Sequence, residues 1–97
     1  DLRKKSSTFG KHFAIELNHQ NKKQLLIPKG FAHGFIVLSD EAIFSYKVDN
    51  YYSQKSERGI RFNDINIGID WKLNSKDFKL SEKDLNLPLI DDAEYFN

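Results

Sequence analysis

Residues 33–48, "HGFIVLSDEAIFSYKV", constrain this chain more than any other stretch. Two apolar runs rich in β-branched and aromatic residues flank the polar turn "SDE", which is the pattern of a β-hairpin. Side chains alternate along a strand, so His33, Phe35 and Val37 share a face of the first run. Ala42, Phe44, Tyr46 and Val48 share a face of the second. A two- or four-residue loop pairs Val37 with Ala42, Phe35 with Phe44 and His33 with Tyr46. A slip of one residue would send each set to the opposite face, so the match favours one register. That register sets an imidazole beside a phenol on an otherwise apolar surface.

The flanking sequence points the same way. "HFAIEL" alternates, with Phe13, Ile15 and Leu17 opposed to His12, Ala14 and Glu16. "NHQNKK" is a polar turn, and "QLLI" is a short apolar run stopped by Pro28 and Gly30. "NDINIGIDW" places Ile65, Ile67, Ile69 and Trp71 at alternate positions among turn residues. "LSEKDLN" carries Ser81 as a helix cap with Asp84 three residues on, and "PLIDDAEYFN" has room for one helical turn. Eight phenylalanines and four tyrosines add to the strand tendency. Short strands with frequent turns predict a mainly all-β fold, an antiparallel sandwich or barrel, ending in short helical turns. No repeat, low-complexity tract or domain boundary interrupts residues 1–97.

Composition excludes several functions. Lys plus Arg is 15 and Asp plus Glu is 14, mixed along the chain, so no basic stripe suits a nucleic acid. Cysteine is absent, which removes disulfide and thiolate chemistry. No apolar run approaches the ~20 residues of a membrane span and no signal-peptide pattern opens the chain, so a cytoplasmic protein is expected. The sequence opens on Asp1 and contains no methionine, the pattern expected of a piece of a longer domain.

Single residues leave alternatives open. His12, His19 and His33 show no metal-ligand spacing, and His12 and His19 sit in polar surroundings. No serine lies in a Gly-x-Ser-x-Gly elbow, and "STFGK" is not a phosphate loop. Tyr46 is either a core tyrosine bonded to backbone or a proton donor. Tyr51 and Tyr52 are either strand-end aromatics or a stacking platform. Asp84 is either an early-helix acid or a carboxylate that orients a histidine. Lys83 and Arg58 are surface cations unless they face a phosphate. His33 itself is a metal ligand, a base, a substrate contact or a satisfied histidine.

Several segments, taken in order, resemble the second half of the dTDP-4-dehydrorhamnose 3,5-epimerases, cupin-like enzymes of dTDP-L-rhamnose biosynthesis. They are "DLRKKSSTFGK", "QNKKQLLIPKGFAHGF", "FSYKVDNYYSQKSERGIRFND", "IGIDW" and "LSEKDLNLPLIDDA". Each is weak alone; together they cover nearly the whole chain. The resemblance implies a cupin-type jelly roll, of which residues 1–97 would be the C-terminal portion of a single domain. It also implies a homodimer, no metal or other cofactor, and a dTDP-linked 4-keto-6-deoxy sugar as substrate. By position it makes Tyr46 the proton donor and Asp84 the carboxylate paired with the catalytic histidine. His33, Glu57, Lys83 and Tyr51 fall at substrate-binding positions.

The sequence departs from the family at some points. The family's base is a histidine in an upstream "RGLHxQ"-type segment, and the lysine expected to stabilise the enolate is also upstream. Neither is in this chain, so the fragment alone is expected to be inactive. Leu26 stands where many members carry Trp, and Lys72 follows Trp71 where Pro is common. A dTDP-keto-sugar epimerase acting at one carbon, a non-catalytic sugar-nucleotide-binding cupin and a metal-dependent cupin are the competing readings. A partial barrel leaves apolar faces open, so instability or association is expected of the piece alone.

Overall fold

The structure of the chain, a computed structural model, describes residues 1–93. The regular elements among these residues are short. They are 3-10 turns at Gln54–Ser56, Ser75–Asp77 and Ile90–Asp92, and one helix, α1, at Glu82–Leu85. None of these helices is long and apolar enough to cross a membrane.

The predicted strands are absent among the described residues, where the only bridge-type residue is Arg3. Alternation says which face of a segment wants burial, but a strand also needs a ladder of backbone bonds to a neighbour. Here the long-range backbone bonds occur singly, as in Leu2 N–H to Gly30 O at 2.9 Å and Arg61 N–H to Pro88 O at 2.8 Å. The mainly all-β expectation is therefore not met by the backbone of this structure.

One side-chain consequence of the hairpin register is nevertheless present. The Phe35 and Phe44 rings stack with centroids 4.1 Å apart and planes 13° apart, the pairing the register predicts. The Tyr46 ring tilts against Phe44 at 5.2 Å, as expected for two residues on one face. The Ser39 hydroxyl donates to Glu41 O at 2.6 Å and tightens the turn between the two runs.

The N-terminal segment folds on its own aspartate. The Asp1 carboxylate accepts from Arg3 N and Nε, each at 2.9 Å. It also accepts from the Ser6 and Thr8 hydroxyls, each at 2.6 Å. Arg3 then lies over the Phe31 ring, 4.7 Å from its centroid. Gly30 sits beneath it at φ +89°, where a Cβ would come within 2.6 Å of Arg3 Cγ. Both the backbone angle and the close approach require glycine there.

The second organising feature is a parallel docking of the C-terminal segment along residues 57–66. Glu57 meets Lys83, Gly59 meets Leu87, and Arg61 meets Leu87 and Pro88. Asp64 meets Ile90 and Asn66 meets Asp91. Asp64 is the buried polar residue of this seam, 2% exposed. It accepts from Ile90 N at 2.5 Å and from Asn66 N at 2.8 Å. Ile90 and Leu2 are the buried large apolar residues among those described. Nearby, the Trp71 indole donates to Phe62 O at 2.9 Å, and Phe62 meets Phe78 edge-on at 5.8 Å.

Gly59 permits this docking, because a Cβ there would lie 2.8 Å from both Leu87 methyls. Gly59→Ala is expected to cost about 1–3 kcal/mol through overpacking. A lowered unfolding midpoint of the intact protein would register it, and an unchanged midpoint would show that Leu87 has room to move.

The predicted cap on α1 is present, with Ser81 Oγ accepting from Asp84 N at 3.1 Å. The expected turn in "PLIDDAEYFN" forms at Ile90–Asp92, and residues 94–97 of that tail lie outside the described residues. A folded monomer of 11.3 kDa would expose about 5,700 Å², whereas this chain exposes 9162 Å². Large apolar side chains lie open to solvent, among them Leu26 at 89% and Ile43 at 97% exposure.

Candidate functional site

The docking seam brings together side chains from two remote segments. The 3-10 turn Gln54–Ser56 folds the chain back, with Ser56 N–H to Ser53 O at 3.1 Å and Glu57 N–H to Gln54 O at 3.3 Å. Arg58 seals the turn by donating to Lys55 O and Glu57 O at 2.9 and 2.8 Å. Glu57 thereby returns to Tyr52, whose hydroxyl donates to Glu57 Oε2 at 2.8 Å. Lys83, held by α1, donates to the other oxygen, Glu57 Oε1, and forms an ion pair with it.

These contacts set the charges. The Lys83 hydrogen bond holds the Glu57 carboxyl below its usual range, and the Tyr52 hydroxyl adds to this. The same bond from Glu57 raises Lys83 above the usual ammonium range, and the Asp84 carboxylate acts in the same direction. Accepting the phenol proton's bond, Glu57 also pushes Tyr52 upward. Glu57's contribution is present above the ordinary carboxylate range and is lost as pH falls through its lowered value. Lys83's contribution is present below the ordinary ammonium range and is lost as pH rises through its raised value. The pair is thus charged throughout the neutral range. An exposed pair of this kind adds little stability, so its consequence is the placement of charge.

Of the residues picked out from sequence, Glu57 and Lys83 are joined directly. Asp84 follows Lys83 on α1 and is half-buried, its backbone N–H held by the Ser81 cap. Tyr46 is 68% exposed. Its ring rests against Phe44, and its hydroxyl has no hydrogen-bond partner among the described residues. It is therefore not a core tyrosine bonded to backbone. His33 is exposed and likewise unbonded among the described residues. Tyr51 is 97% exposed, with only its backbone N–H engaged, to Asn50 Oδ1 at 2.8 Å. No hydrogen bond links Tyr46, His33 or Tyr51 to the Glu57–Lys83 pair among the described residues.

His12, read as solvated, is exposed but has Nδ1 3.0 Å from Ile67 O. No group of three or more His, Asp or Glu residues able to hold a metal ion occurs among the described residues. Sequence reasoning missed the Tyr52 contact with Glu57. Its signal is a tyrosine five residues before a glutamate, across a polar turn that "SQKS" is suited to make. It also missed Asp64, whose signal is the Asx-turn pattern of "NDINIG".

Lys83 offers ammonium donors, Glu57 accepts from hydroxyls, and the Tyr51 ring gives a flat apolar face. Tyr46 presents a free phenol able to donate a proton.

A family model described as dTDP-4-dehydrorhamnose 3,5-epimerase matches residues 1–92. The dTDP-4-dehydrorhamnose 3,5-epimerase of Shigella flexneri is 52% identical over 96 residues, covering 99% of this chain and 52% of that protein. The Salmonella typhimurium protein of the same name is 50% identical over 93 residues, covering 96% of this chain and 50% of its own. The Methanothermobacter thermautotrophicus protein of that name is 44% identical over 97 residues, covering 98% and 52%. The chain thus spans about half the length of the curated relatives it matches. No solved structure matches it significantly.

Proposed function

Because the chain belongs to the dTDP-4-dehydrorhamnose 3,5-epimerase family, we propose that it is the C-terminal portion of an enzyme that inverts C3 and C5 of a dTDP-linked 4-keto-6-deoxy sugar. The observation that carries this is the family match across residues 1–92. Tyr46, Asp84, His33, Glu57, Lys83 and Tyr51 all lie within that span. In this reading residues 1–97 complete a jelly-roll domain with the remainder of the protein, and the intact enzyme is a homodimer. The large exposed apolar area of the chain is in keeping with such a completion.

The chemistry is proton exchange beside a ketone. Removal of the proton at C3 or C5 gives an enolate conjugated with the C4 oxygen, and protonation from the opposite face inverts the centre. A base is needed on one face and an acid on the other. Tyr46 is the acid, with a hydroxyl that bonds to no group among the described residues. Asp84 holds the base's imidazole in orientation, and the base comes from outside residues 1–97. Lys83, Glu57, His33 and Tyr51 bind and align the sugar nucleotide.

Product analysis by NMR in deuterated water tests the reading on the intact protein. Deuterium at both C3 and C5 is expected. Deuterium at one carbon would make the protein a single-site epimerase instead. Binding without any deuterium uptake would make it a non-catalytic sugar-nucleotide-binding protein.

A further inference from the structure

We propose that Arg3 and Trp71 are positioning residues for His33, bracing residues 30–34 from their two ends so that the imidazole meets the substrate at a fixed place. This rests on the epimerase reading above, in which His33 contacts substrate.

His33 needs such a brace because nothing grips its ring. It is exposed and makes no hydrogen bond among the described residues, so the backbone beneath it sets its place. Residues 30–34 belong to no helix or strand. A segment without a ladder of backbone bonds opens readily unless side chains hold it.

Arg3 holds the first end. Leu2 N–H donates to Gly30 O at 2.9 Å. The Arg3 stem passes over Gly30, and its guanidinium carbon lies 4.7 Å from the Phe31 ring centroid. That guanidinium is itself fixed. Its Nε and Nη2 each reach an oxygen of Asp1 at 2.9 Å, the forked geometry of arginine on a carboxylate. The Asp1 side chain is 2% exposed, so the fork stands on a buried base. Phe31, pinned in this way, lies two residues before His33.

Trp71 holds the second end. A Cβ on Gly34 would stand 3.6 Å from Trp71 Cη2, so the edge of the indole fills the space beside this glycine. Its Nε1–H donates to Phe62 O at 2.9 Å. Trp71 thus ties the backbone after His33 to the seam that carries Asp64. Two segments remote in sequence hold one exposed histidine between them.

Arg3→Gln and Trp71→Phe in the intact protein are the test. The first removes the cation from Phe31 and the fork from Asp1. The second keeps a ring but removes the indole N–H and its outer edge. Each should raise KM for the keto sugar about twofold to fivefold, the worth of one exposed contact of this kind, with kcat within about twofold. His33→Ala should itself raise KM, and on that background neither substitution should raise it further. The His33 imidazole resonances, assigned by their loss in His33→Ala, should shift in both variants. An unchanged KM in either variant, or an equal rise on both backgrounds, would overturn the inference while leaving the epimerase reading intact. If Arg3→Gln fails to fold, Trp71→Phe decides by the same comparison. An unchanged KM in His33→Ala would also overturn it, while deuterium at C3 and C5 would keep the epimerase reading. A wild-type protein that neither binds nor turns over the sugar would remove that reading, and this inference with it.

Discussion

Replacing Tyr46 by phenylalanine in the intact protein is expected to lower kcat for epimerisation by about 10²–10⁴-fold, the usual worth of a positioned general acid. The substitution is clean. The ring that tilts against Phe44 at 5.2 Å stays, so the Phe35–Phe44–Tyr46 stack keeps its packing. Only the hydroxyl is lost, and no described protein group depends on it. In the proposed reading Glu57 and Lys83 bind the substrate, so KM should change by no more than a few fold. Deuterium exchange adds a sharper readout. If Tyr46 supplies the proton on the inverting face, abstraction by the opposite base continues and deuterium enters with retained configuration. Inverted product formed at the wild-type rate would remove Tyr46 from the acid role.

The second large effect concerns stability. Asp64→Ala should destabilise the protein by about 2–4 kcal/mol, through loss of charge-assisted bonds and a stranded donor. Asp64 is 2% exposed, and it holds Ile90 N at 2.5 Å and Asn66 N at 2.8 Å. Without the carboxylate, the Ile90 N–H loses its acceptor beside the buried Ile90 side chain. Asp64→Asn keeps one acceptor oxygen and should lose roughly half as much. Scanning calorimetry of the intact protein would show a fall of about 5–10 °C for alanine, if it matches its relatives in length. Equal midpoints for wild type and alanine would mean that the docking of residues 87–92 adds nothing to stability. Because Tyr46 and Asp64 share no partner, the two substitutions should combine additively.

How far each feature was readable depends on its range along the chain. The Ser81 cap is a local matter: a hydroxyl followed three residues later by a free backbone N–H at Asp84. The Phe35–Phe44 stack was readable because alternation and a short turn leave few registers that put both rings on one face. The strands read from the same alternation do not form among the described residues, because a ladder needs neighbours that no local pattern names. The Glu57–Lys83 pair was visible only through resemblance, as two substrate-binding positions. Nothing in "SERG" or "SEKD" says that the two meet, and Tyr52 was readable only as one of two adjacent aromatics.

The sequence by itself determined the family to which the chain belongs, its turns and cap, and the ring pairing across the "SDE" loop. These rest on residue identity and on contacts within a dozen residues, where backbone geometry leaves few choices. The tertiary structure alone decided that Lys83 reaches Glu57 and that Ile90 lands on Asp64. In each case the partners lie 26 residues apart. A charge or a buried carboxylate requires a partner, and only the path of the intervening chain determines which one it meets.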